Sequence, residues 1–280
     1  MSLNTEQIQT FRKDGFVAVD NVFDPSELEA LSHVVKKTIA AYIDKAQGLE
    51  NNWTDNDDDL LDGGLLALAE ADRNLFDCVC DTIWQMPAFW RLVGKPLIEE
   101  AVNQILDRPP NAPLFGYINR CRVSLPNDQR SILGWHQEIF QTVPDCRFVQ
   151  IYAPLIVNSK EDTNLLEICK GSHAPPLPKP DWRENANGVC KITFDDNVAD
   201  EFEKVTFSPN LGQAFFFDGR LLHRSCPNLS NSVRYAMVGL YHDVDDPNFQ
   251  PPLAQFSYRD KTPKEYFQSL SGSIPGARSR

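Results

Sequence analysis

The sequence predicts a mainly β fold, a sandwich or jelly roll with helices packed on one side. Three observations carry that expectation. From Ala112 onward the chain is a series of short runs rich in β-branched and aromatic residues, separated by clusters of Pro, Asn, Asp and Gly. Before that point apolar residues recur at the three-to-four spacing of helices. A length of 280 residues, 42% hydrophobic and 24% charged, fills one core of this kind without requiring a second. The expected organisation is a single domain over 1–280: a helix-rich part over 1–110, a jelly-roll core over about 111–245, and a Pro-rich, polar C-terminal wrap over 246–280.

Taken in order, Thr5 to Asp14 has the composition of a short helix, with Asn4 or Thr5 as its cap and Gly15 as its stop. Phe16 to Val19 reads as a strand. Asp24-Pro25-Ser26-Glu27 places a cap, an N1 proline and an N3 glutamate in register, so a longer helix starts there. Its apolar stripe is Leu28, Leu31, Val35, Ile39 and Tyr42. The acidic stretch Asp55 to Asp59 lacks the central glycine and closing glutamate of a calcium loop and reads as a solvated loop. Leu65 to Trp90 reads as helical, and Pro96 to Ala101 begins a further short element. The clearest strands are Leu114–Ile118, Arg147–Val157, Gln213–Phe217 and Val233–Tyr241.

Composition excludes several function classes. A net charge of −12 leaves no basic face with which to displace counterions from nucleic acid. No apolar run is long enough to span a bilayer, and the N-terminus is polar, so the expectation is a cytoplasmic protein without a membrane partner. Seven scattered cysteines, with no C-x-x-C pair, read as reduced thiols.

Chemistry concentrates in Trp135-His136-Gln137-Glu138. In an extended segment alternate side chains share a face, so His136 and Glu138 can converge on one ion as two-thirds of a two-histidine, one-carboxylate triad. Five histidines supply the candidates for the third ligand. His33 lies off the apolar stripe of its helix, His173 starts a turn, and His242 closes a strand without a carboxylate at ligand spacing. His223 is left, followed by Ser225 and, beyond the turn Cys226 to Asn231, by Arg234. The strands flanking that turn are expected to pair as a hairpin with His223, Ser225 and Arg234 on one face. Its guanidinium fork and hydroxyl suit the far carboxylate of a metal-chelating keto-diacid.

These residues carry a family resemblance that covers nearly the whole chain. The opening Glu6 to Val19 and Phe23 to Leu28, the metal motif Trp135 to Glu138, the turn Lys170-Gly171-Ser172-His173 and the stretch His223 to Arg234 resemble the phytanoyl-CoA dioxygenase family. That resemblance implies a double-stranded β-helix of the cupin-like kind, with iron(II) held by His136, Glu138 and His223. It implies 2-oxoglutarate and oxygen as co-substrates, with Arg234 and Ser225 on the distal carboxylate and Tyr152 and Gln150 beside it. The implied activity is hydroxylation of a C–H bond in a small molecule, releasing succinate and carbon dioxide. Desaturation, epoxidation or ring closure by the same cofactors is the alternative, and a non-catalytic cupin-like binding protein a further one. Arg120 and Arg122, alternating on the strand before the metal motif, are candidates for an anionic substrate or the co-substrate. Three positions depart from the family pattern: Glu138 stands for the usual aspartate, Lys170 for proline and Asn164 for glycine.

Overall fold

The computed structural model describes residues 2–54, 56–128, 132–140, 142, 146–156, 166–184 and 190–249. Helix α1 (Thr5–Asp14) opens on a reciprocal cap: Asn4 Oδ1 accepts from Gln7 N–H at 2.8 Å and Gln7 Oε1 accepts from Asn4 N–H at 2.9 Å. It ends at Gly15, whose φ of +87° is the left-handed conformation in which a side chain is strained. Helix α2 (Pro25–Ile43) starts at the expected Asp24/Glu27 box and buries Leu28, Leu31, Val35 and Ile39. Tyr42 is half-buried, its hydroxyl 3.2 Å from Thr82 Oγ1.

The stretch read as helical over Leu65–Trp90 is helical, in three pieces: α3 (Gly63–Ala71), α4 (Arg73–Trp84) and α5 (Pro87–Val93). Asp72 makes the first break because its carboxylate caps α4, accepting from Asn74 and Leu75 N–H at 2.9 and 3.1 Å. Pro87, at the N1 position of α5, makes the second. Helix α6 (Pro96–Ile105) completes the helical part. In the acidic stretch Asp57 caps a 3-10 turn over Asp58–Leu61, Asp58 pairs with Lys36 at 2.9 Å, and Asp59 accepts from Trp53 Nε1 at 2.8 Å. These carboxylates serve local structure; Asp55 lies outside the described residues.

Strands β1 (Phe16–Val19), β2 (Leu114–Ser124), β3 (Phe148–Ile156), β8 (Ala214–Asp218) and β10 (Arg234–Asp243) form an antiparallel sheet in the order β1-β8-β3-β10-β2. A second sheet has the order β7-β4-β9, from β4 (Leu166–Cys169), β7 (Lys204–Phe207) and β9 (His223–Ser225). The hairpin of β5 (Asp181–Glu184) and β6 (Cys190–Thr193) and the short helix α7 (Asp196–Ala199) stand apart. Alternation sends Val149, Ile151, Phe216, Tyr235 and Met237 to the face covered by the helices. On the other face Phe16, Tyr152, Phe215 and Phe217 meet Leu166 and Ile168 of the smaller sheet. This is the jelly roll expected from sequence. No helix among the described residues is long and apolar enough to cross a membrane.

Two strand readings are corrected. The strand read as Leu114–Ile118 runs on to Ser124, and the expected end is a bulge: Ile118 has φ +52° and the register with β10 slips between Val238 and Leu240. The hairpin expected between the His223 and Arg234 strands does not form. Strand β9 pairs with β4, whereas β10 pairs with β2 and β3, so the turn crosses from one sheet to the other. Asn164 and residues 250–280 of the expected C-terminal wrap lie outside the described residues.

Gly15 offers a stability test. A Cβ there would sit 2.5 Å from His173 Nδ1 and 2.7 Å from Leu221 Cδ1, whereas at Gly48, with φ +79°, nothing lies within 4 Å. Gly48→Ala should cost only backbone strain, about 1 kcal/mol. Gly15→Ala should cost clearly more, measured as the larger fall in unfolding midpoint; equal falls would show that the close packing there does not matter.

Candidate metal and co-substrate site

His136 and His223 come from segments far apart in sequence and are joined by the backbone. Each donates its N–H to the other's carbonyl at 3.0 Å, an isolated antiparallel bridge. Ile139 N–H donates to Gly219 O at 3.1 Å, and Gln137, almost fully buried, donates through Nε2 to Arg220 O. On its other side the His223 strand is fixed by Cys169 N–H to Leu222 O and by Leu222 N–H to Ser172 Oγ, both at 2.8 Å. The sequence reading placed His136 and Glu138 on an extended segment. Only His136 is in a strand-like bridge; Glu138 begins a 3-10 turn (Glu138–Phe140), which swings its carboxylate back toward the imidazoles.

The imidazoles are oriented by their own chain. His136 Nδ1 lies 2.8 Å from Gly134 O and His223 Nδ1 lies 2.9 Å from Leu221 O. A carbonyl only accepts, so each Nδ1 carries a proton and Nε2 is left as the ring atom that can ligate. His136 Nε2 is 3.6 Å from Glu138 Oε2, and one donor atom from each of the three residues lies within 4.8 Å of the others. Burial, together with repulsion from His136, pushes His223 down to about 3, so it is neutral and able to ligate at neutral pH. Burial alone would raise the Glu138 carboxyl; the hydrogen bond and charge of His136, then His223 and Arg120, outweigh it and hold the group below its usual range. Two imidazoles and a carboxylate, open on one side to a cavity, fit a divalent iron-type ion.

That cavity has a volume of about 440 Å³ and its lining includes Arg120, Arg122, His136, Glu138, Gln150, Tyr152, His223 and Ser225. Arg122 Nη1 donates to Ser225 Oγ at 2.8 Å across the two sheets. Arg234 stands behind the lining: Nη1 donates to Cys226 O at 3.0 Å and Nη2 to Pro227 O at 3.2 Å, while its buried Nε has no partner. Gln150 Oε1 is also buried without a partner. An orphaned donor and an orphaned acceptor cost free energy unless a ligand completes them, so both suit an incoming polar molecule. Burial raises the Tyr152 hydroxyl, opposed by Arg234 and Arg122, so it stays a donor at neutral pH.

The remaining histidines have other surroundings. His33 is exposed. His173 Nε2 lies 3.3 Å from Arg12 O at the end of α1, where Gly171 N–H also donates to Asp14 O at 2.9 Å. His242 is fully buried, stacked on Phe148 and 2.8 Å from Thr142 Oγ1. Lys170, at the family's proline position, donates its N–H to Glu203 O at 2.9 Å and pairs with Asp14 at 3.4 Å; proline can make neither contact. Sequence reasoning missed the roles of Gln137 and Ser172 and the Arg122–Ser225 contact. The last two depend on segments meeting across the barrel; Gln137 and Ser172 each lie inside a quoted motif.

Comparison with known proteins accords with this geometry. The model of the family described as Phytanoyl-CoA dioxygenase (PhyH) matches residues 11–236. The chain belongs to the phytanoyl-CoA dioxygenase family. As a member it is an iron- and 2-oxoglutarate-dependent oxygenase. The ectoine dioxygenase of Bordetella bronchiseptica is 22% identical over 269 residues, covering 90% of this chain and 79% of that protein. Among solved structures, the epimerase SnoN in complex with Fe3+, alpha ketoglutarate and nogalamycin RO has a TM-score of 0.59 at 16% identity, covering 92% of this chain and 89% of that one. EctD from S. alaskensis with bound Fe has a TM-score of 0.56 at 15% identity, covering 89% and 80%.

The donor geometry makes a direct prediction. Anaerobic iron(II) should raise the unfolding midpoint of the native protein, and Glu138→Ala should abolish that rise while leaving the metal-free midpoint near the parental value. Glu138→Asp should keep part of it. An undiminished rise in Glu138→Ala would remove the carboxylate from the ligand set.

Proposed function

We propose that this protein is a single-domain hydroxylase of a small molecule, with iron(II) held by His136, Glu138 and His223 and the distal carboxylate of 2-oxoglutarate held by Arg234, Ser225 and Arg122. The observation that carries the reading is the pinning of both Nδ1 atoms on backbone carbonyls, which leaves two Nε2 lone pairs and one carboxylate convergent on a cavity. The net charge of −12 favours a small-molecule partner over nucleic acid, and a cytoplasmic location goes with free thiols among the described cysteines.

When bound, iron(II) with 2-oxoglutarate and oxygen supplies the oxidation: one oxygen atom goes to the substrate C–H bond, the other to succinate, with release of carbon dioxide. The chain does the rest. Glu138 would supply the anionic protein ligand, and His136 and His223, ligating through Nε2, would add no negative charge of their own. The unpartnered Nε–H of Arg234, the Ser225 hydroxyl and the Tyr152 hydroxyl are donors for a carboxylate, and Arg122 adds charge at Ser225. Leu166, Phe217 and Val238 close the inner wall and exclude water.

Two measurements test this. Anaerobic iron(II) plus 2-oxoglutarate should produce a weak visible charge-transfer band, which a protein that binds both without chelation would lack. In Arg234→Lys iron should still bind while the 2-oxoglutarate affinity read from that band falls at least about tenfold, because an ammonium cannot replace a guanidinium held on two carbonyls with Nε–H aimed elsewhere. Succinate formed in step with a product heavier by one oxygen atom marks hydroxylation; a product lighter by two hydrogens would overturn it.

A further inference from the structure

The cavity holds a cation that the proposed reaction does not use. Arg120 lies on β2 two residues before Arg122 and lines the same cavity. Its guanidinium sits 5.8 Å from the centre of the Trp84 ring of α4, and among the described residues it makes no ion pair or hydrogen bond. The wall is aimed there by a strained device. Ile118, β-branched with φ +52°, forms the bulge one turn of alternation away. Gly239 stands opposite, where a Cβ would meet Asn119 Oδ1 at 2.7 Å. Strain of this kind persists only where the surroundings enforce it, and it clusters at binding sites.

Charge accounting narrows the occupant. Among the described residues the charged lining is Arg120, Arg122 and Glu138, with Arg234 directly behind. A divalent metal is balanced by Glu138 and one carboxylate of 2-oxoglutarate, and the second carboxylate meets Arg234, Arg122 and Ser225. Arg120 is then left facing the cavity without an anion. Nearby walls are apolar: Ile118, Leu133, Leu166, Phe217 and Val238.

Resting on the iron and 2-oxoglutarate reading, we propose that the primary substrate is an amphipathic acid, an apolar body bearing a carboxylate or phosphoryl group, and that Arg120 is the residue that selects its charge. The guanidinium, backed by the Trp84 ring, receives the anionic head near the cavity mouth, and the apolar body extends inward past Ile118 toward the metal. A neutral amide or ester of the same body lacks the charge to offset Arg120 and binds weakly.

The test uses calorimetric titration of the full chain, loaded anaerobically with iron(II) and saturating 2-oxoglutarate, with octanoate, octylphosphonate and octanamide as probes. One or both acids should bind at least about tenfold more tightly than octanamide, and Arg120→Gln should erase that preference while the visible band of iron with 2-oxoglutarate persists. Arg120→Lys, which keeps the charge, should retain most of it. Equal binding of acids and amide, no binding of either acid, or an undiminished preference in Arg120→Gln overturns the inference while leaving the cofactor reading intact. Failure of the band to form in the parental protein overturns the cofactor reading instead, through a signal that does not depend on the probes.

Discussion

Two backbone hydrogen bonds, exchanged between His136 and His223, hold together segments that otherwise belong to different parts of the molecule. The loop bearing His136 and Glu138 is tied to the short strand bearing His223, and every donor distance at the candidate site inherits its precision from that tie. Two of the supports around it are also main-chain bonds, Ile139 to Gly219 and Cys169 to Leu222, and a third runs from Leu222 N–H to the Ser172 hydroxyl. Backbone groups have little freedom to adjust, so the imidazoles are placed by the fold and then locked in tautomer by the carbonyls two residues upstream. The N-terminal helix belongs to the same construction. Its last turn is gripped by His173 and Gly171, from the turn that carries Ser172.

The cavity is arranged electrostatically around one carboxylate. Glu138 is the single acid among the described lining residues, and Arg120, Arg122 and the hidden Arg234 surround it. Burial works against the charge of Arg122, with Arg234 and Arg120 adding repulsion and Tyr152 and Glu138 opposing it. A site with this imbalance is incomplete until anions arrive, which suits an enzyme whose co-substrate is a dianion. The two cations differ in setting. Arg122 is committed to Ser225 between the sheets, whereas Arg120 stands nearer solvent against an aromatic ring.

Much of this was legible in the chain. Caps at Asn4 and Asp24, the stop at Gly15, the stripe of α2 and the convergence of His136 with Glu138 are local signals, and local chemistry decided them. Misreadings arose where long-range packing decides. A turn rich in Pro, Asn and Ser between two strands looks like a hairpin, yet Cys226 to Asn231 carries the chain between sheets, because β9 finds its partner in β4 and β10 finds two others. Helix breaks at Asp72 and Pro87 carry a cap and a proline, local signals that divide the helical stretch into its three pieces. The partner of Ser225 could not be read at all, since Arg122 reaches it from the opposite wall of the barrel.

Strand β2 has a further consequence that follows from its place in the sheet. Among the described residues it pairs only with β10, so it is an edge, and an edge of eleven residues offers a row of unmatched backbone groups to any other extended chain. A bulge at Ile118 and inward charges at Arg120 and Arg122 are the features that discourage such pairing. The residues that shape the pocket therefore also oppose edge-to-edge pairing of this strand. Refitting this wall with apolar side chains to admit neutral compounds would flatten the edge and strip its charge at the same stroke, and such variants would be expected to aggregate before their new preference could be used.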